Sequence, residues 1–169
     1  DTYMLGGYNN STDATIQYAD RNDLSSRGAD VLSDTSSWYR GVKTDDGLII
    51  HVGDILVNGQ YDGMFTAFNT ADGVFVGTPG NVLSTLASRL YGVNNSPSIR
   101  SALIACGLAD NGSGYIAKMN TSGSLVWETT TTQAATLYDI FEDSMGNIVA
   151  VGYSGADAFM VKLDQSGNI

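Results

Sequence analysis

Residues 147–169 read NIVAVGYSGADAFMVKLDQSGNI. Two short apolar runs, Ile148–Val151 and Phe159–Leu163, are separated by a small polar turn and closed by a corner at Asp164 and Gly167. Short β-branched and aromatic runs bounded by Gly, Asn, Asp and Ser are strand signals. In the second run Phe159, Val161 and Leu163 share one face, and Met160 and Lys162 share the other. That is the two-residue period of a strand. Both faces begin apolar, which predicts a sheet covered on both sides.

The same phrase occurs upstream. An apolar residue and a Tyr open each unit in WYRGV (38–42), LYGV (90–93) and LYDIF (137–141). A run into glycine follows, at Gly7, Gly53, Gly107 and Gly152. A second run then ends at a turn beginning with Asp20, Asn69, Asn120 or Asp164. Tyr39, Tyr91 and Tyr138 precede their glycines by 14, 16 and 14 residues. Landmarks recurring in this order predict a repeat architecture. Each unit reads as four strands: A carries the Tyr, B runs into the Gly, C runs into the Asp/Asn turn, and D follows it, as in SLVWETT (124–130). The glycines are expected to end strand B. A four-stranded sheet packed between copies of itself is a propeller blade. The expected fold is thus an all-β β-propeller section of about four successive antiparallel blades, with the first and last incomplete. The units span approximately 1–37, 38–89, 90–136 and 137–169, in one domain. Between them, Val82, Leu83, Leu86 and Leu90 of GNVLSTLASRLYG have the spacing of one or two helical turns.

Composition agrees with tight turns and strands. The 169 residues include 20 Gly and 2 Pro, and only 15% are charged. A net charge of −10 argues against nucleic acid and anionic membrane surfaces, which call for Lys/Arg clusters. A single cysteine, Cys106, excludes an internal disulfide framework. No apolar run has the length of a membrane helix, so no membrane insertion is expected.

The units resemble β-propeller repeats of the SBBP type. Their pattern is a Gly-ended strand followed by Asp/Gly-x-φ-φ-x-Lys-φ-Asp-x-x-Gly-x-φ-x-Trp. SGADAFMVKLDQSGNI (154–169) matches it, and GSGYIAKMNTSGSLVWETT (112–130) matches through Trp127. YDGMFTAFNTADGVFVG (61–77) lacks both the Lys and the Trp, and TDATIQYADRNDLSS (12–26) diverges most. The resemblance implies a propeller of the kind found in surface and secreted proteins. Trp127 is also similar to the docking Trp of PQQ-type propeller repeats, but it alone occupies that place.

Candidate chemistry is sparse, and the repeat supplies internal controls. His51 is the only histidine; its equivalents are Leu5, Ala105 and Ala150. Cys106 is equivalent to Gly6, Val52 and Val151 and reads as a buried small residue. A catalytic triad or zinc site needs a partnered imidazole, so no catalytic residue, metal or cofactor is expected. Asp45 and Asp46, with Glu142 and Asp143, fall in the A-to-B hairpins. Backbone turn chemistry explains them better than calcium, which needs about six oxygen ligands. Asn-x-Ser/Thr sequons stand at Asn9, Asn10, Asn94, Asn111 and Asn120, all in expected loops open to N-glycosylation. ETTTTQAAT (128–136) reads as a Thr-rich connection suited to O-linked sugar.

These readings predict a non-enzymatic extracellular or cell-surface module, structural or adhesive, acting as a rigid scaffold. Its partners would be other protein chains or further blades of the same protein. Two alternatives stay open. One is a carbohydrate- or protein-binding propeller reading its ligand with Tyr8, Trp38, Arg40 and Tyr61. The other is the non-catalytic part of a larger secreted enzyme. Asp1 aligns with the start of strand B and Ile169 with the first residue of strand D. The expected strand order is B-C-D, A-B-C-D, A-B-C-D, A-B-C, with neighbouring blades supplying what is missing.

Overall fold

The computed structural model describes the backbone of all residues except 1, 10–12, 21–25, 72, 73, 85 and 100. Side chains are described from residue 36 onward, without 72, 73, 77–81, 85 and 100. The described chain is all-β: β1 (Thr2–Asn9), β2 (Asp13–Asp20), β3 (Ser26–Lys43), β4 (Leu48–Val57), β5 (Gln60–Asn69), β6 (Phe75–Ser84), β7 (Ala87–Asn95), β8 (Ala102–Ala109), β9 (Ser113–Asn120), β10 (Leu125–Ala134), β11 (Thr136–Glu142), β12 (Ile148–Ser154) and β13 (Asp157–Leu163).

Every strand pairs antiparallel with its sequence neighbour in three sheets, β1 to β6, β7 to β10, and β11 to β13. Four separate sheets were expected. The difference lies in β3, an unbroken strand of 18 residues. Its first half pairs with β2 up to Thr35, and its second half pairs with β4 from Ser36. Between Val31 and Thr35 the pairing with β2 shifts register, and the backbone passes from one partner to the next within a single strand.

Two apolar layers hold β3–β13 together. Ile50, Val52, Phe65 and Ala67 of β4 and β5 pack with Leu90, Val93, Leu103, Ala105, Tyr115, Ala117 and Met119. Ile104, Cys106 and Ile116 pack with Leu137, Ile140, Ile148, Ala150, Val161 and Leu163. Both layers obey the strand period. In β9, Tyr115, Ala117 and Met119 enter the first layer, while Ile116 enters the second. The sheet of β7–β10 is therefore buried on both faces, as its apolar β8 demands.

The hairpins share one turn. Gly47, Gly123, Gly146 and Gly167 all have φ between +83° and +85°, where a side chain is disfavoured. The leading side chain caps the turn: Thr44 Oγ1 accepts from the Leu48 amide at 3.0 Å before Gly47, and Asn120, Asp143 and Asp164 lead the other three. Asp143 Oδ1 accepts from the amides of Met145 and Asn147, both at 2.9 Å. Asp164 and Asn120 do the same in their turns. The side-chain amides of Asn147 and Asn168, which donate to Oδ2 of Asp143 and Asp164 at 2.8 and 2.9 Å, together with these backbone bonds hold both carboxyls below the usual range. Among the described residues no three Asp, Glu, His or Cys gather as a metal site.

Several local expectations are corrected. The glycines do not end strand B. β4 runs four residues past Gly53, and β8 and β12 run two residues past Gly107 and Gly152. The glycine answers a different need, described below. Among the described residues of this stretch none is helical: 82–84 end β6 and 87–90 begin β7. Leu83 is buried between exposed Val82 and a turn in which Ser84 Oγ accepts from the Leu86 amide at 3.0 Å. That is strand alternation, not a helical stripe. Most of the Thr-rich stretch, Glu128–Ala134, lies within β10, with only Ala135 connecting it to β11, and Thr131 Oγ1 accepts from the buried Gly114 amide at 2.8 Å. Sequons were expected in loops. Asn9, Asn94 and Asn120 lie in β1, β7 and β9, and Asn94 Nδ2 donates to the Ile140 carbonyl at 3.4 Å. Asn111 does stand in an exposed turn, and Asn10 lies outside the described residues.

Candidate functional site

Strand β7 lies between the second half of β3 and β11, so three first strands run side by side. Each carries an extra residue at its Tyr, and β7 a further one at Ser88. Trp38 pairs with Gly53 and Arg40 with Val52, which leaves Tyr39 without a partner. Tyr91 is the extra residue between Leu90 and Gly92, and Tyr138 between Leu137 and Asp139. These are β-bulges, which bend a strand and re-aim a side chain. The bulge presses a carbonyl onto the facing strand. A Cβ on Gly53, Gly107 or Gly152 would lie 1.7, 1.9 or 1.8 Å from the oxygen of Ser37, Arg89 or Thr136. The Tyr-and-Gly landmarks of the sequence are therefore the two sides of one bulge.

The bulged tyrosines form a row. Ring centroids are 4.8 Å apart for Tyr39 and Tyr91, 5.1 Å for Tyr91 and Tyr138, and 5.5 Å for Tyr138 and Tyr153. Tyr39, Tyr138 and Tyr153 are exposed. Tyr39 Oη donates to Asp54 Oδ2 at 3.0 Å, and Arg89 Nε approaches the same oxygen at 3.1 Å. Burial pushes both the Tyr39 phenol and the Asp54 carboxyl up; hydrogen bonds and the Arg89 charge oppose the rise at Asp54. Next to the tyrosines, Arg40, Gly92 and Asp139 occupy equivalent places in the three strands. Arg40 reaches Asp139 at 3.4 Å, past a glycine with no side chain to block it.

Of the four candidate binding residues, the three with described side chains line two different cavities. Tyr8 lies in β1, and its side chain is outside the described residues. Trp38 and Arg40 line a small cavity of about 160 Å³ with Tyr39, Gly41 and His51. Trp38 packs edge-on against Phe68 and His51. Tyr61 belongs to a different, open cavity with Gln60, Ser88, Arg89, Leu108 and Asp110, of about 360 Å³. There the Arg89 guanidinium sits 4.9 Å above the Tyr61 ring. Sequence reasoning does not single out Asp54, Arg89 or the tyrosine row: the tyrosines recur as landmarks in the sequence, but their extra-residue status needs the strand pairing to be known.

Cys106 is fully buried, and burial pushes its thiol up, away from thiolate reactivity. The best-partnered ionic group is internal. Lys118 Nζ donates to Glu142 Oε1 at 3.1 Å and Oε2 at 3.4 Å, and to Ser98 Oγ at 3.3 Å. Ser98 Oγ also donates to Glu142. This network joins β9 to β11 and fastens two sheets.

His51 gives a pH prediction. Burial lowers its pKa from 6.5 to about 4. The unfolded chain then binds a proton that the folded chain refuses between about pH 6.5 and 4. Stability should fall as pH drops through that window and level off below it, by on the order of 2–3 kcal/mol from this group. His51→Leu should flatten the slope. Urea midpoints at pH 7 and pH 4.5 check this: equal acid losses in both proteins would refute it.

No protein-family model matches the chain, and no curated protein matches it. Among solved structures, the crystal structure of Chaetomium thermophilum Sqt1 is similar, with a TM-score of 0.66 and 16% identity. The match covers 99% of this chain and 42% of that one, so the chain spans less than half of its length. At this identity the likeness is one of fold.

Proposed function

We propose that residues 1–169 are a β-propeller section of SBBP-type repeats. It would serve outside the cell or at its surface as a non-enzymatic structural or adhesive scaffold, built onto other protein chains or further blades. One observation carries the reading: the polar groups with chemical potential are spent on joining sheets. Lys118 and Glu142 fasten β9 to β11, Arg40 reaches Asp139 across β7, and Arg89 of β7 reaches Asp54 of β4. The likeness to part of a larger solved chain supports a section of a larger assembly. Low charge and the exposed Asn111 sequon support the extracellular setting. The test combines rigidity and turnover. Amides of β8 and β9 should exchange only through global unfolding, and hydrolase and oxidoreductase screens should give no turnover. Turnover lost on substituting Tyr39 or Arg40 would overturn the proposal.

The tyrosine row favours a second reading, a carbohydrate- or protein-binding propeller. The rings lean on one another with 40–54° between their planes, and Tyr39, Tyr138 and Tyr153 are exposed along the row. A glycan array on wild type and Tyr138→Ala separates the readings, since only a binding propeller loses signal.

A further inference from the structure

Each sheet from β3 onward presents equivalent positions in the direction of the next. In β3–β5 these include Arg40, Val52 and Phe65, with Val42, Ile50 and Ala67. In β7–β9 they are Gly92, Cys106 and Ile116, with Asn94, Ile104 and Lys118. In β11–β13 they are Asp139, Val151 and Met160, with Phe141, Val149 and Lys162. The middle set is covered by β11–β13, and Cys106 and Ile116 are 0% exposed. Their counterparts Val151 and Met160 are 39% and 69% exposed, and Phe141 is 51%. Lys162 is exposed where Lys118 is buried.

The covering strand is matched to what it covers. Lys118 meets Glu142 at the end of β11. One sheet earlier, Ala67 stands at the lysine place, and the residue equivalent to Glu142 is the uncharged Asn95. A lysine thus faces a carboxylate, and an alanine does not. Lys162 restores the lysine. Burying it without an opposite charge would cost several kcal/mol. A second copy of 1–169 does not answer the need, because the residues at that strand place are Lys43, Asn95 and Glu142, and Glu142 is already bound to Lys118.

We propose that the outward face of β11–β13 is a docking surface for a further sheet of the same repeat, whose first strand ends in a carboxylate that pairs with Lys162. The proposal rests on the propeller-section reading. Its occupant is a heterologous sheet with an apolar-Tyr first strand and an acidic residue four positions after that Tyr, as Glu142 follows Tyr138.

The test extends the full chain with a second copy of residues 126–169 after Ile169, which stands at the place of Leu125 and so keeps the repeat in register. Peptide-level mass spectrometry then follows acylation of Lys162 and peroxide oxidation of Met160, with Lys118 as the internal control of folding. Lys162 should acylate about tenfold more slowly than in the unextended chain, and Met160 should be shielded. Glu142→Gln in the appended copy should return most of the Lys162 reactivity. If Met160 is shielded but Lys162 reacts alike with Glu and Gln, the carboxylate pairing is refuted and sheet stacking stands. If Met160 stays reactive while Lys118 stays protected, the propeller-section reading fails too. Concentration-dependent shielding of Lys162 in the unextended chain would name a second copy as the occupant and overturn the proposal.

Discussion

Glu142→Ala is expected to cost about 3–5 kcal/mol, the largest single loss available outside the apolar layers. Both partners are out of water: the Lys118 side chain is 1% exposed and that of Glu142 0%. Removing the carboxylate leaves an ammonium between two sheets with only Ser98 to receive it. In water the same pair would contribute little, because solvent would take both charges. A stability of roughly 5–15 kcal/mol is ordinary for a domain, so this loss is a large share of the whole. The melting temperature should fall by roughly 10 °C. Lys118→Met should lose a comparable amount, since it strands the carboxylate instead. Combining Lys118→Met with Glu142→Leu should recover most of the loss, because matched apolar groups need no charge partner. Urea melts of the three variants decide it. A single-variant loss under about 1 kcal/mol, or a double variant worse than both singles, would show that the pair is solvated.

The strand succession was legible because its signals are local. Runs such as ALIACGLA and YIAKMN carry their own period and end at their own turns, and the turn carboxylates cap backbone amides within four residues. What was not legible depends on pairing between distant residues. Tyr39, Tyr91 and Tyr138 look like ordinary alternating strand residues until the facing strand is seen to skip them. Lys118 was visible as part of a pattern, but its partner Glu142 sits 24 residues away and was read as a turn residue. Trp127 was read as a landmark; its function is packing, with Nε1 donating to the Gln165 carbonyl at 3.2 Å and its ring over Gly167. Phe65 fills the same role over Gly123 from a different strand, which is why the earlier unit manages without a tryptophan. The boundary expected between residues 37 and 38 shows the opposite case, because β3 runs unbroken through it from Ser26 to Lys43.

Gly107→Ala should destabilise by about 3 kcal/mol, at the upper end of overpacking costs. The reason is not backbone freedom, since Gly107 is absent from the residues with positive φ. It is the Arg89 carbonyl oxygen, 1.9 Å from where the new methyl would stand, with the Arg89 carbonyl carbon at 2.8 Å. A flexible side chain would swing aside, but this carbonyl belongs to the bulge that sets Tyr91 in the row. Making room means shifting β7 where it also touches β3 and β11. Gly112→Ala is the control. Gly112 has φ +82°, so alanine there is strained, but nothing lies within 4 Å of its Cβ. That substitution should cost about 1 kcal/mol, the usual penalty for a left-handed residue with a side chain. The two variants thus separate steric contact from conformational strain. Gly107→Ala should also disturb the row itself, moving Tyr91 off Tyr39 and Tyr138 and changing the near-ultraviolet circular dichroism of the tyrosines. Gly112→Ala should leave that signal alone. Denaturant titrations read beside the spectra test both halves. Equal losses for the two variants, or an unaltered tyrosine signal in a destabilised Gly107→Ala, would mean that the bulge does not hold the tyrosines in line.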